Sequence, residues 1–156
     1  MERREFIALL GMAAAAMPSP ARAEPPCPSN SLSGRIVGTW SFASSLNTKK
    51  DGSTFDRWGT SPRGIFMFDR GGNYSQIIVG SESRVFGAKT FFTFGTYTLD
   101  EDKKHLVTRI EGCSVSKLTG NVQRREIVSL TADELKYWNP VTSTGATAEV
   151  VWKRVT

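Results

Sequence analysis

Trp58-Gly59-Thr60-Ser61-Pro62-Arg63-Gly64-Ile65-Phe66-Met67-Phe68-Asp69-Arg70-Gly71-Gly72-Asn73-Tyr74-Ser75-Gln76-Ile77-Ile78-Val79 is the stretch that decides the fold class. Two apolar segments rich in aromatic and β-branched residues, 65–68 and 74–79, flank the cluster Asp69-Arg70-Gly71-Gly72-Asn73. Its glycines supply the positive φ that tight hairpin turns demand, so the stretch reads as a β-hairpin. Ahead of it, Pro62 fixes one φ while Gly59 and Gly64 relax two, which bends the chain into the first strand.

Outward from the hairpin, the same period recurs. In residues 36–46 the bulky side chains Ile36, Trp40, Phe42 and Leu46 alternate with Val37, Thr39, Ser41 and Ser45, the pattern of a half-buried strand with its large side chains inward. Residues 91–99 (Phe-Phe-Thr-Phe-Gly-Thr-Tyr-Thr-Leu) are dense in residues that favour pleated surfaces. Further strands are expected at 105–111, 122–131, 135–138 and 148–155, separated by polar turns. The polar residues 80–89 fit either a short helix or a lid, and their periodicity does not choose between them. About eight short strands with no amphipathic helix among them point to an all-β fold. Closure into an antiparallel up-and-down barrel is the expected form, because it leaves no edge exposed and encloses room for side chains or one small ligand.

The N-terminus is set apart from that fold. Arg3-Arg4 precedes an apolar run, residues 7–17, that ends at Pro18 and the small-residue motif Ala21-Arg22-Ala23. The run is too short to cross a bilayer as a helix, and with the Arg-Arg-x-Phe-Ile order it reads as a signal peptide resembling the bacterial twin-arginine type. The expected division is a signal peptide at 1–23, an extended arm at 24–34 and the barrel at 35–156, with a periplasmic or secreted destination and no stable membrane anchor after cleavage. Cleavage removes three of the 20 basic and two of the 15 acidic residues, leaving a mild +4. The basic pairs Lys49-Lys50, Lys103-Lys104 and Arg124-Arg125 are scattered rather than gathered into a stripe with aromatics, so no nucleic-acid partner is expected.

Cys27 and Cys113 remain in the mature chain. An oxidising compartment permits their pairing, which would tie the arm to the barrel and contribute about 4 kcal/mol by loop-closure entropy. Two unpaired thiols are the alternative, since separation in sequence says nothing of Cα distance. One histidine and two distant cysteines exclude a three-histidine metal site and give no zinc spacing, so neither metal nor cofactor is expected.

Gly38-Thr39-Trp40 resembles the Gly-x-Trp of lipocalins. The ordered set Gly59, Pro62, Gly64, Gly72, Tyr74-Ser75-x-Ile77, Gly95-Thr96-Tyr97, Gly120, Gln123-Arg124 and Trp152-Lys153-Arg154 resembles the bacterial and fungal lipocalin-like domain family over nearly all of the mature chain. The resemblance implies a lipocalin-like barrel in which Trp40 plugs the floor and Arg154 covers its indole by cation–π attraction. That family's pattern carries a histidine on the strand before the Gly120 loop. Here Thr108 and Arg109 stand in its place, and the one histidine is His105.

A pocket in such a barrel is expected to be mostly apolar with a few convergent polar groups, for a small apolar or amphipathic ligand. The alternation nominates Phe66, Phe68, Gln76, Tyr97, Arg124, Glu126 and Trp138 as its wall. If Arg124, Glu126, Val128 and Leu130 share the inward face, Glu126 becomes a buried carboxylate suited to moving a proton. A cofactor-free isomerase or cyclase using Glu126, Tyr97 or His105 is therefore a second reading, and a module with a filled interior a third. Gln123 and Arg125 occupy the opposite face, so burial decides between the two orientations.

Overall fold

The computed structural model describes residues 31–81, 89–142 and 145–156. The expected signal peptide, Cys27 with its pairing to Cys113, residues 24–30 of the arm and most of the 80–89 loop lie outside these residues.

The hairpin joins β3 (Arg63–Phe68) to β4 (Asn73–Val79) with Phe68 opposite Tyr74 and Phe66 opposite Gln76. Asp69 builds its turn: one carboxylate oxygen accepts the Asn73 backbone N–H at 2.7 Å, the other accepts the Asn73 side-chain amide at 2.8 Å, and the Asp69 N–H returns to the Asn73 carbonyl. Asx-type bonding of this kind replaces ladder bonds that a tight turn cannot make.

Around this hairpin the chain runs β1 (Gly38–Thr48), β2 (Thr54–Phe55), β3, β4, β5 (Thr90–Asp100), β6 (His105–Cys113), β7 (Val122–Leu130), β8 (Glu134–Asn139) and β9 (Thr147–Arg154). Apart from β2, a two-residue strand paired with the end of β1, each strand lies antiparallel to the next, and β1 also pairs with β9 from Trp40 opposite Arg154 to Thr48 opposite Thr147. That last ladder closes eight strands into a barrel, the architecture expected from the spacing of the strands.

One end of the barrel is sealed. Residues 32–36, which were expected to belong to an extended arm and the start of the first strand, instead form the single helical turn α1 (Leu32–Ile36). Its exposed N–H groups explain why a helix forms there: the Ser31 hydroxyl accepts from Gly34, and Glu101 from the β5–β6 turn accepts the N–H groups of Leu32 and Ser33, each at 2.9 Å. Leu32 and Ile36 then pack on Trp40, whose indole N–H donates to the Ile36 carbonyl at 2.8 Å. Above this seal lies an aromatic layer. Phe66 sits 5.2 Å from Trp152 and 4.2 Å from Phe68, while Phe42 meets Trp152 edge-on at 5.2 Å. Trp40, Phe66 and Trp152 are fully buried, so this half of the barrel is solid.

Bulges in β1 and β7 set which of their side chains face inward in the other half. Between Phe42 and Ser44 the β1–β9 register shifts by one residue, which turns Ser45 and Asn47 inward and exposes Leu46, contrary to the unbroken alternation expected for 36–46. A second shift, between Ile127 and Ser129, leaves Val128 as the extra residue. Leu130 is inward with Leu135, but Arg125 and Ile127, not Arg124 and Glu126, are its companions on the inner face.

Candidate functional site

The end of the barrel opposite α1 is hollow. Its cavity, of about 60 Å³, is walled by Gln76, Arg125, Tyr137 and Val150 from the middle of their strands and by Asn47, Ile78, Gln123 and Ala148 from nearer the strand ends. Trp58, Phe91, Leu118, Asn139 and Thr142 surround its mouth. Leu118, Gln123, Asn139 and Thr142 also line a wider groove outside, between the β6–β7 and β8–β9 connections, so the cavity and the groove adjoin.

Arg125 organises the polar side of the cavity. It is 3 % exposed, and its guanidinium donates through Nη1 to Thr108 Oγ1 at 2.7 Å and through Nη2 to Gln123 Oε1 at 2.6 Å. It also lies over the Tyr137 ring, 5.4 Å from its centroid. Tyr137 in turn accepts the Trp152 indole N–H at 3.2 Å, and nearby Tyr74 and Thr93 share a hydrogen bond of 2.9 Å. Burial pushes both tyrosine hydroxyls above the ordinary phenol range, so they stay neutral donors and acceptors.

Three polar atoms buried in this region, Nε of Arg125, Oε1 of Gln76 and Oδ1 of Asn47, have no partner among the described residues. Buried polar atoms are nearly always satisfied, so three left open around one cavity mark a place where something else completes them. The charges are equally one-sided. Arg57 joins Arg125 in the wall, with its guanidinium 5.1 Å from the Trp58 ring centroid, and burial lowers its pKa from the ordinary value. No Asp or Glu is among the lining residues, within the described chain.

Of the residues nominated from sequence, Gln76 lines the cavity and Arg124 only the outer groove. Phe66 and Phe68 are inward but belong to the solid aromatic layer. Tyr97 packs edge-on against Phe68 at 5.0 Å and donates its hydroxyl to the Asp69 carbonyl at 2.7 Å, which places it at the sealed end. Arg124, Glu126 and Trp138 face outward, because the bulge at Val128 reverses the parity counted back from Leu130. Glu126 stands in an outer row between His105 and Trp138, so neither it nor His105 can serve as a proton carrier inside the barrel. Arg125, Asn47, Thr108 and Tyr137 were missed. For Arg125 the available signal was Ile127, a β-branched residue two positions on and of the same parity.

The sequence matches no family model and no curated protein. Among solved structures it is similar to a lipocalin-like protein from Bacteroides uniformis, with 13% identity over 78% of this chain and 100% of that one and a TM-score of 0.48. A de novo designed fluorescence-activating β-barrel gives 12% identity, 79% and 96% coverage and a TM-score of 0.47. A bovine odorant-binding protein in complex with a selenium-containing odorant gives 16% identity, 90% and 78% coverage and 0.46. The architecture of this chain rests on its own strand ladder, which closes eight antiparallel strands into an up-and-down barrel.

Proposed function

We propose that this protein is an exported carrier or sensor barrel that binds one small amphipathic molecule in the hollow half of its interior. The observation that carries this reading is the combination of an internal cavity with three buried polar atoms that have no partner among the described residues. A module with a wholly filled interior has no use for such atoms, each of which costs about 1–3 kcal/mol of desolvation. The cavity takes a ligand's head and a short apolar portion, while the rest would lie against Trp58, Phe91 and Leu118 at the mouth. Export is supported by the leader read in residues 1–23, and fractionation of the producing cell tests it. The isomerase reading loses its main residue, because Glu126 is on the outer surface.

A neutral fluorescent probe, N-phenyl-1-naphthylamine, tests interior binding. Its emission should rise saturably with the protein and fail to rise with Ile78→Trp, which fills the cavity. An unchanged titration of that variant would reject the interior as the binding place. Native mass spectrometry of the purified protein would then look for a molecule retained from the cell.

A further inference from the structure

Among the described residues, no carboxylate balances the buried positive charge of Arg125. A guanidinium taken out of water is costly unless it is paired, and the protein offers it two neutral oxygens, Thr108 Oγ1 and Gln123 Oε1, and the face of Tyr137. Those contacts also hold the guanidinium in place, with Nε left open. Gln76 and Asn47, 5 % and 1 % exposed, each bring an unpartnered amide atom to the same cavity. An amide can present either its oxygen or its NH₂, so both can serve an anion as donors or a neighbouring hydroxyl as acceptors.

Resting on the reading of the barrel as a small-molecule binder, we infer that the ligand is a small amphipathic acid whose carboxylate enters the cavity and is held by Arg125, with Gln76 and Asn47 completing its hydrogen bonds. The planar fork of a guanidinium matches a carboxylate, and the low dielectric around a buried pair strengthens the attraction. The aromatic and aliphatic residues at the mouth, Trp58, Phe91 and Leu118, suit the apolar part of such an acid.

Three probes of one shape and different charge test this: phenylacetate, 2-phenylethanol and 2-phenylethylamine, titrated by calorimetry into the protein while the Trp58 indole N–H is followed by NMR. Phenylacetate should bind about ten- to a hundredfold more tightly than the alcohol, the amine should not bind, and Arg125→Met should reduce phenylacetate to the alcohol's affinity. The comparison within the unaltered protein needs no variant, so it stands even if Arg125→Met folds poorly. Equal affinity for acid and alcohol would overturn the role of Arg125 while leaving the small-molecule reading intact. Failure of all three, together with failure of the neutral naphthylamine probe, would overturn both. Inorganic phosphate binding as tightly as phenylacetate would overturn the amphipathic acid in favour of a bare oxyanion.

Discussion

The guanidinium carbon of Arg154 lies 4.1 Å from the centre of the Trp40 indole. The two residues are also register partners across the ladder that closes the barrel, so the same contact seals the floor and joins the first strand to the last. Arg154 is held there by backbone carbonyls: its Nη1 donates to Val37 at 3.0 Å, its Nη2 to Arg35 and its Nε to Ala132. It therefore ties α1 and the β7–β8 turn to the ring above them. Trp40→Ala should cost about 3–5 kcal/mol through the cavity it leaves. Arg154→Met should cost about 2–4 kcal/mol through the acceptors it strands. Urea unfolding of each variant measures both, and an unchanged midpoint for Trp40→Ala would show that the floor is not a structural plug.

Gly38, two residues before Trp40, is part of the same seal. Its φ is +131°, and a Cβ built there would stand 2.6 Å from Arg154 Nη1. Gly38→Ala should therefore both strain the backbone and displace the guanidinium, at a cost of about 2–4 kcal/mol. Gly52→Ala supplies the comparison, because Gly52 also has a positive φ, +84°, but open space where the Cβ would go. It should cost only about 1–2 kcal/mol. Thermal melts of the two variants separate the strain from the steric term, and equal losses would show that Arg154 is not displaced.

Residues that report their own turn chemistry were legible from sequence alone. Asp69 and Asn73 bracket Gly71-Gly72, a cluster that does little except turn a hairpin, and the strands on either side follow from it. The floor, with Trp40 under Arg154, came from the resemblance of Gly38-Thr39-Trp40 to the lipocalin motif rather than from periodicity. The wall of the cavity was harder to read because side-chain direction inverts at a bulge, and the bulges in β1 and β7 have no local signature. Val128 is as apolar as any core residue, yet it is the inserted one and is 52% exposed. Counting back through it from Leu130 put Arg124 and Glu126 inside and Arg125 outside. The helix at 32–36 is hard to read for another reason: Ser31 caps only the Gly34 N–H, and those of Leu32 and Ser33 are capped by Glu101, far away in sequence.

That cap gives the fold an acid-sensitive joint. Partial burial pushes the Glu101 carboxyl upward, but hydrogen bonds from the N–H groups of Ser33 and Leu32 and the Ser33 hydroxyl outweigh it, so its pKa lies below the ordinary 4.5. A carboxylate lowered on folding contributes stability above its unfolded value and loses it as the pH falls through the folded one. Glu101→Gln should thus be less stable than the parent at about pH 7, and the gap should narrow between about pH 5 and about pH 3. Urea midpoints across that range check it, and a gap independent of pH would show that the ionised carboxylate is not what caps α1.

Arg125 sets binding against stability. Its guanidinium costs several kcal/mol to bury, whereas its bonds to Thr108 and Gln123 return about 1.5–3 kcal/mol each. Removing the charge alone would cost the fully buried Thr108 hydroxyl its bond from Arg125. Arg125→Met combined with Thr108→Val removes donor and acceptor together, and Met fills the space with a flexible apolar chain. The double variant, without ligand, should be more stable than the parent by about 1–4 kcal/mol, a rise of several degrees in Tm. A residue kept at a loss to the empty protein is one that ligand binding rewards. A fall in Tm for the double variant would mean that Arg125 instead holds the barrel together, with Thr108 and Gln123 as its true partners.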